Sequence, residues 1–131
     1  LINMKFYSRK LIKPEDLNAR NTLFGGSLLR WIDEEAGIYA MTKLESNEVV
    51  TKFISEINFI DSAKQGDVIE IGLEFKRIGK TSITFGCEVR NIFSKQSIIK
   101  IDEIVFVHVS KAGRPKPHGK TLENLELKTS Q

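Results

Sequence analysis

Four runs of alternating apolar and polar residues fill the chain from Val49 to Val109, and only short connections separate them. In the first, Val49, Thr51, Phe53, Ser55, Ile57 and Phe59 share one side, against Lys52, Glu56 and Asn58. The second, Val68 to Arg77, sets Ile69, Ile71, Leu73 and Phe75 against Glu70, Gly72, Glu74 and Lys76. Thr81 to Phe93 places Ile83, Phe85, Cys87, Val89 and Phe93 opposite Ser82, Thr84, Glu88 and Arg90. Ile98 to Val109 closes the series, with Ile99, Ile101, Val105, Val107 and Val109 in register and Glu103 out of it. A period of two belongs to a strand with one buried face. Strands joined by turns as short as 63–67, 78–80 and 94–96 must pair antiparallel. Such a sheet has an apolar face to cover.

The chain offers one cover. Ser27 to Leu44 reads as a helix of about five turns, with Leu29, Ile32, Ala36, Ala40 and Leu44 on one side and Leu28 and Tyr39 along its edge. Asn47 is placed to supply the left-handed residue that ends it. Ahead of it, Met4 to Ile12 reads as a short strand that Pro14 terminates, and a loop rich in Asp, Asn and Arg follows. The predicted architecture is α+β, a curved antiparallel sheet around one long central helix, in a single domain of 131 residues. From about residue 112 the chain reads as a loop and a loose tail, with Leu122, Leu125 and Leu127 as its possible anchors. A lone helix cannot screen both edges of an open sheet, so dimerisation is expected.

One residue sits oddly in the helix. Asp33 falls inside the apolar stripe, whereas Glu34 and Glu35 point away from its centre. A carboxylate aimed at a core must be hydrogen-bonded, raised in pKa or open to a pocket. Capping a loop or pairing with a basic residue would satisfy it structurally; a catalytic role is the other reading. The stretch before the helix bears on the choice. Gly25 and Gly26 let backbone approach a ligand closely, and the first-turn amides of a helix lack intrahelical acceptors, so a polarised carbonyl oxygen can rest on them. Asn18 adds a neutral amide able to hold a water or a carbonyl.

The run Asp16-Leu17-Asn18, then Phe24-Gly25-Gly26, then Trp31-Ile32-Asp33-Glu34-Glu35-Ala36-Gly37 resembles the signature of the hotdog-fold acyl-CoA thioester hydrolases. The resemblance extends more weakly from about Lys10 to about Lys120. In that family the loop Asn and the helix Asp form the catalytic pair, which implies those roles for Asn18 and Asp33. It further implies homodimers joined edge to edge, assembling to tetramers or hexamers, with sites at the interface, so that Asn18 and Asp33 of one site come from different subunits. Turns similar to Arg77-Ile78-Gly79-Lys80-Thr81-Ser82 lie near coenzyme A in the family, making Arg77, Gly79, Lys80, Thr81 and Ser82 candidate nucleotide contacts; a plain hairpin explains the same residues. The family often carries Gly where this chain has Asn21. Asn is the next best residue for a left-handed backbone.

The implied reaction is acyl-CoA plus water to free acid and coenzyme A. Asp33 would serve as general base or nucleophile, with burial raising its pKa, Asn18 would position water or carbonyl, and Gly25 and Gly26 would hold the oxyanion. No cofactor is required, because coenzyme A is part of the substrate. A dehydratase or hydratase on the same fold would use a His with a carboxylate, and neither His108 nor His118 is near the Asn18 loop. A non-catalytic acyl-CoA sensor would share the pocket. A purely structural interaction domain would explain the strands but not Asp33.

Composition excludes other classes. A net charge of +3 and a pI near 9.0 are not concentrated on a basic helix interleaved with aromatics, which argues against nucleic acid. One cysteine, Cys87, forbids an intrachain disulfide, and with two histidines far apart no metal site is expected. No apolar run approaches the roughly 20 residues of a membrane helix, and Leu1-Ile2-Asn3 ahead of Met4 lacks the shape of a signal peptide. These features favour a cytoplasmic protein.

Overall fold

The computed structural model describes residues 4–125. Its elements run β1 (Lys5–Leu11), a 3-10 turn (Pro14–Asp16), α1 (Gly25–Leu44), β2 (Val49–Ile54), β3 (Ile57–Phe59), β4 (Val68–Ile78), β5 (Ser82–Asn91) and β6 (Ser97–His108). The strands form one antiparallel sheet in the order β1-β4-β5-β6-β2, and β3 pairs with the far part of β6. Helix α1 covers one face of it. Leu28, Ile32, Ala36 and Ala40 from the helix meet Ile69, Ile71, Leu73, Ile83, Phe85, Val89, Ile99 and Ile101 from the sheet, the expected helix in its wrapper.

Several details depart from the sequence pattern. The helix begins two residues early, at Gly25, and ends on Glu45, whose φ of 56° supplies the left-handed residue expected at Asn47. Its buried face comprises Leu28, Trp31, Ile32, Ala36, Tyr39, Ala40 and Leu44. That face is rotated toward Trp31 and Tyr39, leaving Leu29 half-buried and Asp33 exposed on the opposite flank.

The strand expected over Val49–Phe59 breaks at Ser55-Glu56, and a bulge lies between Thr51 and Phe53. Instead of entering the core, Phe53 is 52% and Phe59 57% exposed. Phe93, read as part of a strand face, belongs to the β5–β6 turn and is 79% exposed.

A bulge also explains Glu103. Phe85 pairs with Ile104 and Cys87 with Ile101, so β6 spends one more residue than β5 over that interval. The extra residue reverses the parity of the strand: Ile99 and Ile101 are buried before it, Ile104 and Phe106 after it. Glu103 is thereby turned to the surface, where Arg77 grips both carboxylate oxygens at 2.8 Å.

The segment expected to be loose from about residue 112 is instead docked as far as it is described. Val109 bridges Pro115, the Lys116 amide donates to the His108 carbonyl, and the His118 amide to the Lys80 carbonyl. Leu125 ends it, buried in the core. Leu127 lies outside the described residues.

Candidate active site

The start of α1 is shaped by the loop before it. Asn18 is its hub: Oδ1 accepts from the amides of Arg20 and Thr22 at 2.9 and 3.1 Å, Nδ2 donates to Thr22 Oγ1 at 3.0 Å, and the Asn18 amide donates to the Thr22 carbonyl. Asn21 occupies the left-handed region at φ 63°, as a residue standing for Gly must. The Phe24 amide donates to the Asp16 carbonyl, holding Phe24 extended as the helix N-cap without a capping side chain. The amides of Gly25 and Gly26 therefore open the helix without intrahelical acceptors.

Asn18 and Gly25 line a cleft of about 420 Å³ with Leu23, Phe59, Ile60 and Ser62. The ring of Phe59 stands 3.4 Å from where a Cβ on Gly25 would be, and Phe24 would clash with one on Gly26 at 2.6 Å. A side chain on Gly25 would lie against the Phe59 ring that lines the cleft, and one on Gly26 would displace the Phe24 ring.

Asp33 sits elsewhere in the same chain. It is exposed, not embedded, and its Oδ1 accepts a 2.7 Å hydrogen bond from Thr51 Oγ1 on β2. The helix flank rotated toward Trp31 accounts for the exposure, and within one chain the burial expected for this carboxylate is missing. Thr51 is the functional candidate that sequence reasoning passed over, having been read only as a position on a strand face. A hydroxyl level with an acidic helix residue is visible only once β2 is laid beside α1.

The separation between the two candidates is large. Gly25, which shares the cleft with Asn18, and Asp33 are eight residues apart on α1, about 12 Å at roughly 1.5 Å per residue. Their neighbours in the sheet, Phe59 and Thr51, pair with Ile99 and Phe106 of β6. One chain therefore presents an amide and helix N–H groups at the start of α1 and an acid further along the same helix. Beside them runs the outer edge of β2, which has no strand beyond it among the described residues and exposes Val50 and Phe53.

The β4–β5 turn joins the Asp33 end, since Ser82 and Val50 both pair with Val107. Its five candidate nucleotide contacts are mostly engaged in the hairpin. Gly79 donates its amide to the Ser82 carbonyl, and a Cβ there would strike Ser82 Oγ at 2.5 Å. The carbonyls of Lys80 and Thr81 accept from the amides of His118 and His108. Arg77 is committed to Glu103; the side chain of Lys80 is exposed.

On the flank of α1 away from Asp33, a cleft of about 380 Å³ is lined by Tyr7, Glu35, Ile38, Tyr39 and Leu73. Tyr7 donates to the Tyr39 hydroxyl at 3.2 Å. Burial first, then this contact, pushes Tyr39 well above its ordinary value, so it stays neutral. Among the described residues no cluster of His, Cys, Asp or Glu could hold a metal, and no helix is long and apolar enough to cross a membrane.

Comparison with known proteins matches residues 20–95 to the thioesterase superfamily. The chain is 30% identical over 114 residues to an uncharacterized acyl-CoA thioester hydrolase of Buchnera aphidicola, covering 82% of this chain and 84% of that one. It is also 30% identical over 115 residues to the acyl-CoA thioester hydrolase YciA of Salmonella typhimurium, covering 83% and 86%. Among solved structures, the hexameric thioesterase y2039 from Yersinia pestis superposes with a TM-score of 0.81 at 27% identity, over 92% of this chain and 100% of that one.

Proposed function

Since the chain belongs to the thioesterase superfamily and has the hotdog fold of its acyl-CoA hydrolases, we propose that it hydrolyses acyl-CoA thioesters with Asp33 as the reacting carboxylate. The observation that carries the reading is an acid held ready on the helix by Thr51, beside a sheet edge that has no partner strand among the described residues.

A second copy completes the arrangement. Pairing β2 edge to edge would cover Val50 and Phe53 and bring the Asp33 end of one chain toward the Asn18 cleft of its partner. A two-fold axis makes both sites equivalent. The hexameric state of the Yersinia pestis relative supports further assembly of such dimers. The partner would also supply the water-excluding surface that Asp33 lacks in one chain.

In the assembled site Asp33 takes a proton from a water as its oxygen adds to the thioester carbonyl. The tetrahedral oxyanion forms against the Gly25 and Gly26 amides, while the Asn18 region orients the carbonyl. Collapse breaks the carbon–sulfur bond. The thiolate is a good leaving group and needs no strong general acid; the proton held by Asp33 returns to it. Direct attack by Asp33, forming an anhydride that water then cleaves, uses the same residues. The products are a carboxylic acid and coenzyme A, without any cofactor. A helix unsuited to the membrane and bacterial relatives accord with a place in the cytoplasm.

The test is release of thiol from acyl-CoA esters of short to long chain by wild type and Asp33→Asn. Wild type should hydrolyse part of the panel, and the folded variant should be slower by about 10²-fold or more. Binding of acyl-CoA by wild type without thiol release would make the protein a sensor or carrier on this fold and overturn the role of Asp33.

A further inference from the structure

The cations read from sequence as nucleotide contacts are not the ones the fold gathers. Arg77 is tied to Glu103, which leaves the β4–β5 turn only Lys80. At the other end of the molecule, where β1 passes into the 3-10 turn and meets the first turns of α1, Arg9, Lys10, Lys13 and Arg30 line one cleft of about 460 Å³. Among the described residues Arg9, Lys10 and Arg30 make no ion pair, and only Lys13 has one, with Glu15 at 3.5 Å. Asp16, the second acid of the cleft, is buried and spent on the Lys13 amide at 2.9 Å. Four cations against two acids leave a charge of +2 in one concavity. Trp31 forms its wall, and it is the chain's single tryptophan.

Unpaired cations gathered from a strand end and a facing helix raise each other's energy, which a multiply charged anion relieves. Arginine favours phosphate among such anions, because its fork donates two parallel hydrogen bonds. Its Asp16 stands two residues before Asn18, which lines the cleft at the start of α1.

We propose that the cleft between Arg9, Lys10 and Arg30 binds a small anion bearing more than one phosphate. Two sources share this chemistry. One is the phosphorylated adenosine end of the substrate, which rests on the hydrolase reading above; the other is a free nucleotide bound apart from turnover.

Adenosine 3′,5′-bisphosphate is the probe, and Trp31 fluorescence is the readout, so binding is seen without catalysis. The wild type should show a saturable change that weakens as salt is raised. In the doubly substituted Arg9→Gln, Arg30→Gln chain, affinity should fall at least tenfold with the circular dichroism unchanged. The same loss should appear in Lys10→Gln to a lesser degree and be absent in Lys80→Gln. Absence of a saturable change in wild type, or equal binding by the double variant, overturns the proposal.

The sources are then separated by KM. If the double variant raises KM for acyl-CoA but leaves the matching acyl-pantetheine unchanged, the substrate's own phosphates occupy the cleft. Lost bisphosphate binding with both KM values unchanged assigns it to a free nucleotide. A wild type that binds bisphosphate yet hydrolyses neither thioester defeats the hydrolase reading alone.

Discussion

Thr51 on β2 donates a 2.7 Å hydrogen bond to Asp33 on α1, fixing one oxygen of the carboxylate proposed to react. A hydrogen bond to a charged group contributes about 1.5–3 kcal/mol. Thr51→Val should therefore slow turnover by roughly tenfold or more while the melting temperature stays close to wild type, because the pair is exposed. Thr51→Ser, which keeps the hydroxyl, should restore most of the rate. Steady-state kinetics of the two variants decides the matter, and equal losses in both would remove the hydroxyl from the mechanism.

Asn18 carries two duties that separate substitutions can distinguish. Asn18→Ala deletes the acceptor for two amides and the donor to Thr22, and should lower stability by about 1–3 kcal/mol as well as activity. Asn18→Asp retains the oxygen that organises the turn but loses the amide donor. Urea unfolding should place the Asp variant nearer wild type; if its turnover nevertheless falls, the amide acts on substrate or water rather than on the loop alone.

An interfacial site predicts complementation between dead chains. When Asn18→Ala and Asp33→Asn proteins are mixed after dissociation and reassembly, each heterodimer contains one site with both native residues. With random pairing, activity should return to about one quarter of wild type per chain. Phe53→Lys, placing a charge on the open edge of β2, should yield monomers by light scattering and no turnover. Sites complete within one chain would give no recovery on mixing.

Glu70 on β4, 4% exposed, sets the acid limit of stability. Burial pushes its pKa up, but the hydrogen bond from Arg90 and the charges of Arg90 and Lys95 outweigh that and hold it below the ordinary carboxylate value. A depressed folded-state pKa stabilises the protein above the unfolded value of about 4.3 and is lost as pH falls through the folded one. The urea midpoint should drop as pH is lowered below about 4.3. Glu70→Gln should be less stable than wild type at pH 7 and lose part of that acid limb.

Cys87, buried between β4 and β6, should not react in the native protein. Burial, then the nearby Glu88 carboxylate, pushes its thiol up to about 12, so almost no thiolate exists near pH 8. A thiol-detecting reagent should titrate Cys87 only in denaturant, which also means that thiol seen in the hydrolysis assay comes from coenzyme A. Rapid labelling of the folded chain would contradict the burial.

What the residues alone determined was the material of the fold: period-two runs for the strands, one amphipathic helix to cover them, turns at Gly and polar clusters, and Asn21 in the left-handed conformation its position demanded. These follow from local stereochemistry and hydrophobic period, which neighbours in sequence carry. The signature also picked out Asn18, Gly25 and Asp33 without saying how they lie together. Tertiary structure decided the rest. One extra residue in β6 opposite β5 reversed the phase around Glu103; the tilt of the helix face toward Trp31 turned Asp33 out to meet Thr51; and Glu103 captured Arg77 while Arg9, Lys10 and Arg30 were drawn to a common cleft. Each of these depends on register and on contacts between segments distant in sequence, and a one-residue slip in pairing changes which face every later side chain occupies.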